Sequence, residues 1–249
     1  MNYADDNLIK YNTDLREVAS KLVQKYQASG KLPENDKELL VSFYLTKASK
    51  THAAIMLLCN SGYGMDAVWL GRTIFEMLVT MKYILADPTN ERINQFTSHG
   101  WIFKKEIHGN LLQYNPQIKG FDGFNKKIEE IKENAKLAQE KYNYKAYSGW
   151  SYENMHAMAK EVGEENDFLT CYGIQSSFGH SLSTCTNEYV RKEGDKLIFD
   201  AGPNKNYVNF ALTAAFSSYI KLCIEVDKFL SLGFEDEFIK LTSIPLPSI

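Results

Sequence analysis

The run Ala67–Met81, AVWLGRTIFEMLVTM, constrains this chain most, because its only two charges are Arg72 and Glu76 and every other side chain is apolar or small. A helix that is hydrophobic nearly all round belongs at the centre of a fold, with other elements on most of its sides. The two charges stand four residues apart, so they share one face and point into the interior or a cleft rather than into bulk water. Taking an ion out of water costs on the order of several kcal/mol before compensation. Such a pair persists when it is well hydrogen-bonded, when it has a task, or both, and this segment leaves a structural salt bridge and a functional polar site open. Gly71, beside Arg72, would let another helix approach closely.

Helical periodicity dominates the rest of the chain, and its punctuation falls where helices start and stop. A first helix is predicted from Asp5 or Asp6 to about Ser29, with Gly30 as its stop. Pro33 is expected in the first turn of a second helix, from about Glu34 to Asn60, and a third runs from about Met65 to Asp87-Pro88. A fourth is expected over about Asn90–Tyr114, and a Lys/Glu-rich fifth over Gly123–Tyr142 reads as an exposed, charge-laced helix rather than a nucleic-acid patch. After a break at Ser148-Gly149-Trp150 come a short helix near Tyr152–Glu161, a longer one near Asp167–Arg191 and a last one near Tyr207–Leu232. Only Lys196–Asp200 reads as extended. The economical architecture is all-α, a bundle of six to eight helices with at most one short extended segment.

The 249 residues include no Pro/Gly/Ser-rich linker, so residues 1–249 are treated as a single α-helical domain. With 44% hydrophobic and 24% charged residues the chain can bury a sizeable core and lacks the signature of disorder. A net charge of -3 gives no global drive toward nucleic acid or an anionic membrane, so any RNA contact has to be local. The first residues, MNYADDNLIKYN, are acidic where a signal peptide is basic, and no apolar run is long enough for a membrane span. A cytoplasmic protein without membrane contact is expected. Cys59, Cys171, Cys185 and Cys223 form no CxxC pair and the histidines no HExxH, so no metal is expected.

The predicted helix 167–191 carries the second oddity. At 100° per residue, Tyr172, Ser176, His180, Ser183 and Asn187 fall within an arc of about 80°. Ile174, Phe178, Cys171, Leu182, Cys185 and Tyr189 lie opposite as a core face. A solvated face normally carries Lys and Glu, and none occurs from Phe168 through Asn187. The stripe suits a polar pocket or an interhelical hydrogen-bond network. His180 is the natural general acid or base on it, as histidine is the side chain suited to proton transfer near neutral pH, and a neutral histidine satisfied by hydroxyls is the competing reading. Ser176 and His180 stand four apart, but no GxSxG elbow supports a serine hydrolase.

A third pattern is ERINQFTSHG, with Arg92 and His99 seven residues apart on one helical face. It resembles the Arg/His pair of HEPN-type ribonucleases, although Ile93 follows the Arg where those enzymes usually have a polar residue. Trp150 reads as an anchor for the loop that enters the short helix.

KASKTHAAIMLLCNSGYGMDAVWLGRTIFEMLVTMKYI, the Gly149-Trp150 pair and YGIQSSFGH together resemble a bacterial family of unknown function, number 5677. In that family a Gly, an ARxxxE-like helix, a Trp and a YxxxSxxxH-like helix occur in this order. The matching positions are Gly62, Arg72, Glu76, Trp150, Tyr172, Ser176 and His180, with Gly71 where the family more often has a bulkier residue. The resemblance, spanning roughly Leu45 to Val190, implies an all-helical bacterial protein related to HEPN proteins of toxin and phage-defence systems.

The function expected from both readings is a HEPN-like, metal-independent endoribonuclease, acting as a toxin or phage-defence effector. Its catalytic residues would be Arg72, Glu76 and His180, with Tyr172 and Ser176 binding substrate. RNA is the expected partner, in a homodimer, with no cofactor. The competing expectation is a non-catalytic interaction or ligand-sensing module with the same residues as a buried network. The two differ on whether Arg72 and Glu76 meet His180 in space.

Overall fold

The structure is a computed structural model that describes residues 3–117, 122–144 and 149–243. These are all-α apart from one small hairpin. The elements are α1 (Asp6–Ala28), α2 (Asp36–Asn60), α3 (Gly64–Leu85), α4 (Glu91–Tyr114), α5 (Asp122–Tyr142), α6 (Met155–Glu161) and α7 (Glu165–Asp167). A π turn (Phe168–Tyr172), α8 (Gly173–Gly179), a 3-10 turn (Ser183–Cys185), α9 (Thr186–Tyr189), β1 (Val190–Glu193), β2 (Lys196–Phe199), α10 (Val208–Leu230) and α11 (Glu235–Thr242) follow. The chain divides into two compact units, Met1–Lys82 with Met158–Ile249, and Tyr83–Ala157.

In the first unit, α1 starts where Asp5 accepts the N–H groups of Asn7 and Leu8, and Gly30 follows its end at a φ of +65°. Leu8, Leu15 and Leu22 make a seven-residue stripe that is fully buried. Pro33 lies outside α2, against expectation: Asn35 is the N-cap, accepting from the Glu38 N–H, while the Glu38 carboxylate takes the Glu34 N–H. That reciprocal capping moves the helix start past the proline. Along α3, Ala67, Val68, Ile74, Phe75, Leu78, Val79 and Met81 are all buried, as a central helix requires. At its N-terminus a Cβ on Gly64 would sit 2.3 Å from the Asn206 carbonyl oxygen and 2.4 Å from the Val208 nitrogen, so only glycine allows α3 to meet the start of α10.

A buried polar patch crosses α1, α2 and α10. Asn12 donates to the Leu8 and Leu212 carbonyls and accepts from His52 Nε2 at 2.8 Å, while the His52 ring stacks on Tyr219, whose hydroxyl meets Ser49. Burial, with the Arg16 charge second, lowers the His52 pKa to about 3. In the unfolded chain the ring titrates near 6.5, so between these values the unfolded state binds the extra proton. Stability is therefore full above pH 6.5 and falls by about 1.4 kcal/mol per pH unit as pH drops toward 3. Urea denaturation at pH 7, 6 and 5 should show this slope in the wild type and a flatter one in His52→Gln.

In the second unit, α4 packs on α5 through Ile93 and through Ile128, Ile131, Ala135 and Ala138, while the outer face of α5 carries pairs such as Lys127–Glu130 and Lys132–Glu129. The charge-laced reading of α5 holds. Trp150 meets Tyr83 and Phe96 edge to face, anchoring the chain that leads to α6. Of the expected break at 148–150, Ser148 lies outside the described residues.

Three further expectations need correction. The predicted helix 167–191 is broken into a π turn, α8, a 3-10 turn and α9, because Ser181 adopts φ +49° and Leu182 is extended. Its expected core face is consequently split: Cys185 is buried, whereas Ile174, Leu182 and Tyr189 are 39%, 49% and 41% exposed. A strand, β1, replaces the predicted end of that helix and pairs with β2 across Gly194-Asp195, with Gly194 at φ +61°. Finally, α11 was not anticipated; its start is held by Asp227, whose two carboxylate oxygens accept the Phe234 N–H.

Candidate functional site

The five residues expected to form a site come together within the first unit. Arg72 Nε donates to Glu76 Oε1 at 2.7 Å, the i,i+4 pair on α3. Arg72 Nη1 donates to Ser176 Oγ at 3.3 Å and lies 2.9 Å from His180 Nε2. The Tyr172 hydroxyl donates to the same Glu76 Oε1 at 2.8 Å. The Arg72 guanidinium also faces the Trp69 and Tyr172 rings, with its carbon 5.4 and 5.1 Å from their centroids.

The local backbone explains how two segments deliver these groups. Tyr172 closes the π turn and Ser176 lies one α-helical turn further on, with His180 as the C-cap of α8. Phe168 stacks on Tyr172 with centroids 4.9 Å apart, joining the two ends of the π turn. Gly179 presses on Trp69, where a Cβ would come within 1.9 Å of the indole carbons. That contact sets the end of α8, and with it His180, against α3.

Charge and burial then define what the groups can do. Arg72 and Glu76 side chains are 16% and 32% exposed, while His180 is exposed at the rim. Burial disfavours the Arg72 cation, but Glu76 and Tyr172 outweigh it and the net displacement of its pKa is upward. Burial, reinforced by the Glu76 carboxylate, pushes the Tyr172 phenol up to about 12 and keeps it a neutral donor. Guanidinium can only donate, so in the 2.9 Å contact His180 Nε2 presents its lone pair. The cluster is a fixed cation beside a proton acceptor.

Ser183 and Asn187 do not join this stripe, since both follow the break at Ser181 and are exposed. Arg92 and His99 stand in the other unit: Arg92 donates to the Tyr83 carbonyl at 2.8 Å and lies over the Tyr83 ring, and His99 meets Tyr144 edge to face. Gly62, at φ +81°, has room for no Cβ against Tyr3 and Pro203. Among the described residues no group of three or more His, Cys, Asp or Glu could hold a metal ion, and no helix is long and apolar enough to cross a membrane.

Two features escaped the sequence. Gln175 is 1% exposed, packs its amide against Gly71, and has no hydrogen-bond partner for either amide atom among the described residues. The available signal was Gly71, which admits that side chain. The second is an ion network in which Glu164 binds Lys82 at 2.6 Å and Lys221 at 2.8 Å, and Lys221 also binds Asp167 at 2.8 Å. It ties the residues just before the π turn to α3 and α10. Its members are too far apart in sequence to be read as one unit.

No curated protein and no solved structure matches the chain. A family model does match, over residues 38–197, and that span contains Gly62, Arg72, Glu76, Trp150, Tyr172, Ser176 and His180. The match covers more than half of the sequence, and the chain belongs to the family of unknown function DUF5677.

Proposed function

We propose that the Arg72–Glu76–His180 cluster is the centre of a HEPN-like, metal-independent endoribonuclease. The observation that carries this reading is the Arg72 Nη1 to His180 Nε2 contact of 2.9 Å, with the histidine on the exposed side. In this scheme a ribose 2′-hydroxyl displaces the Arg72 Nη1–H from the His180 Nε2 lone pair, Nε2 takes the hydroxyl proton, and the 2′ oxygen attacks the adjacent phosphorus. The bond to the 5′ oxygen breaks, leaving a 2′,3′-cyclic phosphate and a 5′-hydroxyl that takes its proton from water. Arg72 Nη2, which none of the bonds above uses, faces the charge that develops on the phosphate, while Glu76 holds the guanidinium in place. Tyr172 and Ser176 fix the geometry from the opposite segment and border the substrate. The internal nucleophile supplies what a metal-bound water would otherwise provide.

A homodimeric toxin or phage-defence effector is the setting suggested by the HEPN resemblance alone. One observation favours a second reading, an interaction or ligand-sensing module. Arg72, Glu76, Tyr172 and Ser176 form a closed network that ties α3 to the 172–180 segment. The test is incubation with single-stranded RNA in EDTA. Fragments ending in 2′,3′-cyclic phosphate, absent when the 2′-hydroxyl is replaced by hydrogen, are expected. No cleavage of any RNA, with a large fall in the melting temperature of His180→Ala, would favour the module.

A further inference from the structure

We infer that the cleft opening at the residue after His180 holds a nucleobase of the RNA whose phosphate lies at Arg72. The cleft has a volume of about 440 Å³ and is lined by Phe178, Ser181, Leu182, Cys185, Thr186 and Tyr189. That volume is in the range of small-molecule sites. None of the six is Asp, Glu, Lys, Arg or His, so the cleft has no charged side chain to pair with a phosphate and suits a neutral ligand. Its walls are aromatic and aliphatic, and its polar groups are the hydroxyls of Ser181, Thr186 and Tyr189 with the Cys185 thiol. A flat base with hydrogen-bonding edges needs that combination.

The cleft is built from the same turn that presents His180. Ser181 adopts φ +49° and sends the chain back, so that the Leu182 N–H reaches the Ser177 carbonyl at 3.1 Å and Cys185 Sγ donates to Ser177 Oγ at 3.3 Å. Phe178 is held edge to face against Tyr207, with centroids 4.8 Å apart, which fixes one wall. Phe178 and Ser181 bracket Gly179 and His180 in the chain, so the uncharged cleft and the charged site share a backbone. A ribonucleotide carries the matching pair of chemistries, a neutral base and an anionic phosphate.

The inference rests on the RNA-cleaving reading for the identity of its ligand, and the test separates the two. Adenosine, guanosine, cytidine and uridine, which lack phosphate, are titrated calorimetrically into the wild type, His180→Ala, Thr186→Trp and Leu182→Asp. Thr186 and Leu182 are exposed, so both cleft variants should melt near the wild type, as the same samples would show. At least one nucleoside should bind the wild type and His180→Ala alike and bind both cleft variants at least about tenfold more weakly. Binding unchanged in both cleft variants overturns the inference. RNA cleavage by a protein that binds no nucleoside overturns the cleft and leaves the RNA-cleaving reading; nucleoside binding without RNA cleavage does the reverse.

Discussion

Arg72→Ala should lower RNA cleavage by about a thousandfold, the upper end of what one preorganised charge donor contributes. This side chain organises the whole cluster: it bonds Glu76, Ser176 and His180 and lies between the Trp69 and Tyr172 rings. Its removal takes away the positive charge and also the donor that fixes the His180 ring. Arg72→Lys keeps the charge but loses the planar fork, so it should recover less than about tenfold of the loss. The stability cost of Arg72→Ala should be smaller, about 1 kcal/mol, because Glu76 is one-third exposed and keeps its bond to Tyr172. Single-turnover cleavage and thermal melting, measured together, separate the two effects. A network of purely structural worth would reverse them, with a large loss of stability and no cleavage to lose.

The largest stability effect is expected at Glu164→Ala. Glu164 is 5% exposed in its side chain and accepts from both Lys82 and Lys221, which are 20% and 37% exposed. Deleting it strands Lys82 in a half-buried position and leaves Lys221 with Asp167 alone. Burial pulls the Lys221 pKa down, but Asp167 and Glu164 outweigh it and hold the ammonium form. Breaking a buried pair from one side costs about 3 kcal/mol, which for a chain of this size lowers the melting temperature by roughly 6–12 °C. Lys82→Met with Glu164→Leu in one protein should recover most of that loss, since Lys221 then keeps Asp167 and no charge is left without its partner. Differential scanning calorimetry of the two variants against wild type checks both statements. A single Glu164→Ala variant within about 1 °C of wild type would mean that water already satisfies both lysines.

Much of this arrangement was legible in residue patterns. The two lone charges of the Ala67–Met81 run identified a central helix with a polar spot, and Tyr172, Ser176 and His180 identified the partner segment. Four-residue spacing survives because Tyr172 sits at the end of the π turn, so the residues up to His180 run on as one regular helix. Past Gly179 the pattern misled. Ser183 and Asn187 continue the angular stripe only if the helix continues, and the left-handed Ser181 ends it. Periodicity reports which residues would share a face, and carries little information about a non-glycine residue that leaves the helical region. The Gly194-Asp195 pair just before the extended KLIF was a hairpin signal, but VRKE ahead of it carries a single β-branched residue and the helical stripe masked it. The Glu164 network depends on tertiary proximity across long sequence separations and no local pattern announces it, whereas Gly71 signalled a close approach without naming Gln175 as what fills it. Arg92 shows the opposite case: its spacing to His99 suggested chemistry, yet its guanidinium is used on the Tyr83 carbonyl and ring.

The most direct measurement is single-turnover cleavage of one RNA by wild-type protein, His180→Ala and His99→Ala in EDTA, with melting curves from the same samples. His180→Ala should lose at least about a hundredfold in rate, the contribution expected of a positioned proton acceptor. Its melting temperature should stay within about 2 °C of wild type, because the ring is exposed. A folded His180→Ala variant that cleaves at the wild-type rate, while His99→Ala does not, would contradict the assignment and move the chemistry to the Arg92/His99 pair.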